Sequence, residues 1–349
     1  MKTILIKTDR NVPDPLLMKQ AGEIIKSGGL VAFPTETVYG LGGDALNSRS
    51  SEKIYAAKGR PSDNPLIVHI ADMEHLGKIA ENVPQEAYVL AGKFWPGPLT
   101  MIFRKTKEVP YETTGGLDTV AVRMPSHEVA RAFIRASGGY IAAPSANTSG
   151  RPSPTLAEHV LEDLNGKIDM IIDSGEVNIG IESTIVDFTD EVPTILRPGF
   201  VSEKMLGDIL GNVRTDPGIM SENSMVRPKA PGMRYRHYAP GAPLIVVEGE
   251  KRSVASKIRQ LASDAAEKGM NAGIICVSEN APVYDSGIVK CIGRGDDEDE
   301  IARNLYAVLR QFDLENVDVI YSEAFDTPRL GDAIMNRLLK AAGHEVIKV

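Results

Sequence analysis

Short apolar runs that each end in a polar loop recur through the first part of the chain, with amphipathic stretches between them. That alternation restricts the fold to an α/β sheet with helices packed on its faces. Residues 15–27 carry Leu16, Leu17, Ala21, Ile24 and Ile25 at helical spacing and stop at Gly28-Gly29. Residues 30–33 form a short buried strand that opens into Pro34-Thr35-Glu36-Thr37. Residues 119–122 end in Arg123, residues 140–143 open into Pro144-Ser145-Ala146-Asn147, residues 183–188 begin with Ser183-Thr184, and residues 193–196 lead into Arg197. Several strand ends converging on one crevice is how such a sheet builds a polar ligand site. Taken singly, Arg123 reads either as a rim salt bridge or as a ligand clamp.

The densest of these loops is Lys58-Gly59-Arg60-Pro61-Ser62-Asp63-Asn64-Pro65, between a helical pattern over residues 51–57 and an apolar run over residues 66–70 that carries His69. Two cations one residue apart in a Gly/Pro turn suit a polyanion, Arg as a planar fork and Lys as a mobile point charge. Alone, the same residues would also suit a solvated surface turn. Gly40-Leu41-Gly42-Gly43-Asp44-Ala45 imitates a dinucleotide fingerprint but reads as part of a ligand loop, because Pro34-Thr35-Glu36-Thr37 separates it from the strand. The next helical pattern starts only near Ser50, so a pyrophosphate would lack its helix N-terminus.

At 349 residues the chain exceeds what one core usually serves, so two domains are expected. Periodicity is lost from residue 208, which places a first domain at residues 1–207, a connector at 208–241 and a second domain at 242–349. The connector holds Arg227, Lys229, Arg234, Tyr235, Arg236, His237 and Tyr238 between prolines. It reads as a linker, or as a strap laid across an anionic ligand; generic linkers are Ser/Gly-rich or acidic. Beyond it, strands over residues 244–247, 272–277, 288–292 and 317–321 alternate with helices over 253–268, 298–312 and 330–342, giving a small, mostly parallel α/β sheet. The acidic run 296–300 reads as the solvated start of a helix.

A net charge of −8 argues against a protein that coats nucleic acid through a broad basic field. Cys276 and Cys291 do not make a disulfide framework and are expected as buried free thiols. The first residues are too soon polar for a signal peptide, no apolar run approaches membrane-spanning length, and a cytoplasmic, membrane-free protein is expected. The six histidines lack metal-ligand spacing, and there is neither a Walker A sequence nor a nucleophile elbow. What remains is positioning chemistry. Lys58, Arg60 and Arg197 suit a triphosphate oriented by Ser145 and Asn147, with Mg²⁺ bound through the phosphates. Thr37, His69, Arg123 and Ser183 suit a small polar or carboxylate substrate.

Four motifs, K-G-R-P-S-D-N-P-L-I-V-H, P-T-E-T-V-Y-G-L-G, P-S-A-N-T-S-G and S-T-I-V-D, resemble the YrdC-like threonylcarbamoyl-adenylate synthases. The connector P-G-M-R-Y-R-H-Y-A-P and the tail G-D-A-I-M-N-R-L-L-K-A-A are similar to the longer, two-domain form, with Ala230 and Arg234 standing where Ser and Lys would be expected. The resemblance implies a twisted mixed sheet flanked by helices, joined through the connector to a Rossmann-like domain. It implies condensation of L-threonine, bicarbonate and ATP to threonylcarbamoyl-AMP and pyrophosphate. The product would pass to a separate transferase complex acting on tRNA, with no stable tRNA binding by this chain. By motif, Lys58 and Arg60 would be catalytic and would meet phosphates. Asn64, Ser145, Asn147, Ser153, Arg197 and Tyr238 would contribute to the nucleotide site. Thr37, His69, Arg123, Ser183 and the backbone of Ala143 would line the threonine pocket. Two other readings are an RNA-binding factor gripping through the basic connector and a nicotinamide enzyme reading residues 40–45. The acidic total counts against the first and the missing helix N-terminus against the second.

Overall fold

The structure, a computed structural model, describes residues 2–219, 230–231 and 238–349. The chain divides into a first unit, Met1–Ser149, Ser153–Asn178 and Glu182–Arg234, and a second, Gly150–Pro152, Ile179–Ile181 and Tyr235–Val349.

Strands of the first unit are β1 (Ile4–Lys7), β2 (Val31–Phe33), β3 (Gly40–Asp44), β4 (Ile67–His69), β5 (Ala80–Glu81), β6 (Leu99–Lys105), β7 (Thr119–Arg123), β8 (Ile141–Ala143), β9 (Met170–Asp173), β10 (Thr184–Asp187), β11 (Thr194–Arg197) and β12 (Arg214–Thr215). Its helices are α1 (Pro15–Lys26), α2 (Ser48–Lys58), α3 (Leu76–Ile79), α4 (Gln85–Phe94), α5 (Glu128–Ala136), α6 (Ala157–Leu164) and α7 (Glu203–Leu210). The strands form one mixed sheet in the order β1-β9-β2-β3-β8-β4-β7-β6-β10-β11-β12, with β5 paired to β6.

Alternation along the strands divides the core between the two faces. One face buries Val68, Val122, Met101 and Val186 against residues of α2, α4, α6 and α7. The other is covered only in part: Val31, Phe33, Ile141, Ala143 and Met170 pack under α1 and α5. Asp14 caps α1 by accepting from the backbone of Leu16 and Leu17, and Pro15 opens the helix. A side chain at Gly22 would meet the Ala136 carbonyl at 2.4 Å, so glycine lets α1 close on the end of α5.

Several elements differ from the sequence reading. Residues 40–44 are not loop but strand β3, inside the sheet between β2 and β8. A Cβ at Gly42 would lie 2.9 Å from Ile141 Cγ2 and 3.1 Å from Phe33 Cε1, so neighbouring rings and branches fill the space of the missing side chains. Residues 73–81 form a 3-10 turn, the single turn α3 and then β5. Helices α6 and α7 went unread. Helix α7 continues to Leu210 and β12 pairs with β11, so the chain stays with the first sheet beyond residue 207.

The second unit holds β13 (Leu244–Glu248), β14 (Ala272–Val277), β15 (Ile288–Gly293), β16 (Val319–Glu323) and β17 (Val346–Lys348), with α8 (Lys251–Glu267), α9 (Glu298–Leu314) and α10 (Gly331–Ala341). All its strand pairs are parallel, in the order β15-β14-β16-β13-β17. Cys276 is a buried free thiol as expected, but Cys291 is exposed. The acidic run is not merely solvated: Asp297 caps α9, and Glu298 accepts from the backbone of Arg329 and Leu330. Among the described residues no helix is long and apolar enough to cross a membrane.

Candidate active site

Register builds the centre of the site. His69 of β4 stands opposite Arg123 of β7, Arg123 opposite Thr100 of β6, Thr100 opposite Ile185 of β10, and Ile185 opposite Arg197 of β11. Side chains of paired residues project to the same face, so His69, Arg123 and Thr100 form one polar row across the sheet. This face continues the one that α1 and α5 cover further along: Ile141, beneath them, is the partner of His69 in β8. Beyond those helices it carries a small apolar patch of Ile67, Ile102, Ala121, Ile185 and Leu196, with Ala230 packed against it.

Burial sets the charges. His69 is 4% exposed, and desolvation, reinforced by the Arg123 charge, lowers its pKa to about 3. The imidazole is therefore neutral near pH 7. Its Nδ1 lies 3.1 Å from the Ile67 carbonyl, which can only accept, so Nδ1 carries the proton. Arg123 pairs with Glu36, Nη2 to Oε1 at 2.7 Å, both nearly sealed from solvent. The rim salt bridge offered as one reading of Arg123 is thus a buried one. Thr35 Oγ1 donates to the Val38 carbonyl and accepts from the backbone N–H of Thr37 and Val38, locking the loop that holds Thr37. Thr37 Oγ1 lies 2.9 Å from Thr35 Oγ1.

Arg197 donates from Nε to the Ser183 carbonyl at 3.0 Å and from Nη2 to Ser183 Oγ at 3.1 Å; Ser183 Oγ lies 2.8 Å from Thr100 Oγ1. Nη1 of Arg197 also donates to the carbonyl of Pro231 at 3.3 Å. Residues 230–231 of the connector therefore rest on the face that bears the polar row. Alanine at position 230 places a methyl group on an apolar patch.

A second cluster joins the end of α2 to the loop after β8. Gly59, with φ of 63°, ends the helix in the left-handed region and leaves Lys58 as its last residue. Lys58 is 2% exposed, and its ammonium donates to the Ser145 carbonyl and to both the carbonyl and Oδ1 of Asn147. Ser145 Oγ donates to Asn147 Oδ1. Arg60, half-buried, donates to the carbonyls of Asn64 and Pro65 and so braces its own turn. The side chain of Asn64 is buried, and its Oδ1 has no hydrogen-bond partner among the described residues. Ser153 Oγ donates to Glu182 at 2.6 Å, one residue before Ser183. Ala143 pairs with Ile67 and delivers the chain into this loop.

The first unit thus places Thr37, His69 and Arg123 near the row that Thr100 links to the hydrogen-bonded pair Ser183 and Arg197, and it joins Lys58 to Ser145 and Asn147 while Arg60 bonds within the turn that holds Asn64. Tyr238 belongs to the second unit, where its ring lies 5.1 Å from that of Tyr306. The connector's Arg227, Lys229, Arg234, Tyr235, Arg236 and His237 lie outside the described residues. Sequence reasoning missed Glu36 and Thr100. Thr100 looked like any β-branched strand residue, whereas Glu36, inside a quoted motif, could have been matched to Arg123 by charge alone.

Residues 23–199 match the Sua5/YciO/YrdC family, described as telomere recombination, and residues 201–343 match the family described as threonylcarbamoyl-AMP synthase, C-terminal domain. The chain belongs to the Sua5/YciO/YrdC family. A relative from Pyrococcus abyssi named threonylcarbamoyl-AMP synthase is 49% identical over 99% of this chain and 100% of its own. A Bacillus subtilis protein of the same name is 46% identical over 94% of each. The crystal structure of P. abyssi Sua5 complexed with L-threonine superposes with a TM-score of 0.94 at 48% identity, covering 99% of this chain and 100% of that one. The family's mixed sheet also recurs in Escherichia coli YciO, with a TM-score of 0.52 at 26% identity over 56% of this chain and 96% of that one. Both family segments are therefore present here in one chain.

Proposed function

We propose that this protein condenses L-threonine, bicarbonate and ATP to threonylcarbamoyl-AMP and pyrophosphate, as a nucleotidyltransferase. The observation that carries the reading is the polar row, a neutral imidazole beside a buried guanidinium, in the same sheet unit as a lysine at a helix end and an arginine in the turn after it. Arg123 takes the threonine carboxylate, with His69, Thr37, Ser183 and the Ala143 backbone shaping the pocket around it. Lys58, Arg60 and Arg197 face the phosphates, and Asn64, Ser145, Asn147 and Ser153 complete the nucleotide site within the first unit. The work is proximity and charge neutralisation, with no covalent enzyme intermediate.

Among the described residues there is no group of three His, Cys, Asp or Glu side chains that could hold a metal ion. Mg²⁺ fits this chain as the companion of the triphosphate, held by phosphate oxygens and offsetting their charge. In this reading the product passes in the cytoplasm to a transferase complex that modifies tRNA, and the chain itself makes no stable tRNA contact, in keeping with its net charge of −8. The test is pyrophosphate release from MgATP with L-threonine and bicarbonate supplied singly and together. Release that requires both is expected; release indifferent to threonine would overturn the substrate assignment.

A further inference from the structure

We propose that Glu36 is the positioning residue for the amino-acid substrate, holding Arg123 in the orientation that receives the carboxylate. The inference rests on the reaction proposed above and assigns to it a side chain that does none of the binding itself. Glu36 follows β2 and Arg123 ends β7, and three strands, β3, β8 and β4, lie between them in the sheet. The carboxylate nevertheless reaches the guanidinium, with Nη2 to Oε1 at 2.7 Å and both side chains about 5% exposed. A buried ion pair is a poor way to gain stability, because desolvating the two charges offsets most of their attraction. A geometric service to the site accounts for its presence better than packing does.

Both ends of Glu36 are fixed. Its backbone lies in the turn that Thr35 locks through Val38 and Thr37. The second carboxylate oxygen, Oε2, accepts from the backbone N–H of Ser126 at 3.2 Å, just past the end of β7. The anion therefore bridges the loop after β2 and the loop after β7, and its other oxygen grips one amino group of Arg123. Among the described residues Arg123 Nε and Nη2 are both buried without a hydrogen-bond partner, so the 2.7 Å approach of Glu36 Oε1 to Nη2 is a contact of opposite charges and not an aligned hydrogen bond. A guanidinium presents its donors in a rigid planar fork, so an anchored anion beside one corner limits where the rest can be offered. The pair also carries no net charge, so a stray inorganic anion gains little by entering, whereas a ligand with both a carboxylate and an ammonium loses nothing.

The test compares wild type with Glu36→Gln and Glu36→Asp. L-threonine binding is read by calorimetry, and pyrophosphate release is read while L-threonine and MgATP are varied separately. Sulfate is added as a competitor, and melting temperature reports folding. Glu36→Gln is expected to weaken L-threonine, in both Kd and KM, by about tenfold or more, the scale of one charge-assisted contact. kcat and the KM for MgATP should stay within about twofold, as for an interaction confined to ground-state threonine binding. Sulfate should become competitive with threonine in this variant, which a merely structural role would not produce, and Glu36→Asp should restore part of the affinity. Unchanged threonine parameters in a folded variant would overturn the proposal, as would a loss confined to kcat or one shared equally with MgATP. Should Glu36→Gln not fold, Glu36→Asp decides alone by whether its loss is specific to threonine. A wild-type protein that binds no L-threonine would bring down the reaction and this proposal together; threonine-dependent turnover unaffected by either substitution would bring down this proposal only.

Discussion

The two units of the chain both end their strands in polar loops, and they use those ends in opposite ways. In the first, a row of side chains across the sheet sets a neutral His69 and a guanidinium on a face that helices cover only in part. In the second, a parallel sheet of the kind that often holds nucleotides, the chain's own carboxylates occupy the helix starts. Glu250 caps α8, Asp297 caps α9, and Glu298 takes the backbone N–H groups of Arg329 and Leu330 just ahead of α10. Glu323, at the end of β16, accepts from Val277, Asn280 and Tyr284. A cavity of about 400 Å³ lies among these strand ends, but each helix start beside it that would suit a phosphate is already matched to an internal anion. Topology alone therefore does not make a nucleotide site. In this unit the positive ends of the helices are matched by carboxylates, whereas the cations of the first unit rest mostly on neutral carbonyls and hydroxyls.

The comparison breaks most sharply at Lys58. Lys58→Ala should lower turnover at least tenfold, since the charge-assisted contact it gives up is worth roughly 1.5–3 kcal/mol. It should also lower the melting temperature, because the carbonyls of Ser145 and Asn147 and Oδ1 of Asn147 lose a donor. Arg60→Ala should cost similar activity with a smaller thermal effect, since Arg60 is half-buried where Lys58 is sealed from solvent. Pyrophosphate release and thermal melts on both variants measure this. Wild-type rates in both would remove the contrast between the two sheets.

A smaller effect follows from two buried histidines. Burial, with the Arg123 charge, lowers His69 to about 3; burial, with the Arg10 charge, lowers His127 to about 4. Both folded values lie below the free value near 6.5. The unfolded chain therefore binds protons that the folded chain refuses, and their contribution to stability is complete above about pH 6.5 and is lost progressively toward pH 4. Melts across that range should show the decline, and His127→Gln should flatten it. An unchanged melting temperature between pH 7 and pH 5 would contradict the burial of both rings.

The smallest effect tests the second unit. Glu250→Ala should cost about 1 kcal/mol through the lost cap and leave turnover unchanged. Equilibrium ATP binding should show a single site per chain in wild type and in this variant. A second site would mean that the carboxylates at the helix starts yield to phosphate after all.

Much of the scaffold was legible because its signals are local. The apolar run of β14 and the Asp14-Pro15 start of α1 are written within a few residues. The glycines of β3 misled because a strand there depends on Phe33 and Ile141 filling the gaps, and both are remote in sequence. The polar loops of the site could be read singly, as could the motifs. Their alignment could not, since the register of β4, β7, β6, β10 and β11 is settled only when the sheet forms. Thr100 stayed hidden for that reason, whereas Glu36 offered a charge match that was not drawn. Their importance lies in what they face.

The shared register also constrains how such a gene can change. One codon inserted within β4 or β7 would turn Val68 or Val122 toward the ligand and drive His69 or Arg123 into the hydrocarbon beneath, losing chemistry and fold in a single step. Length variation among descendants of this sequence should therefore accumulate in the connections and spare those short strands.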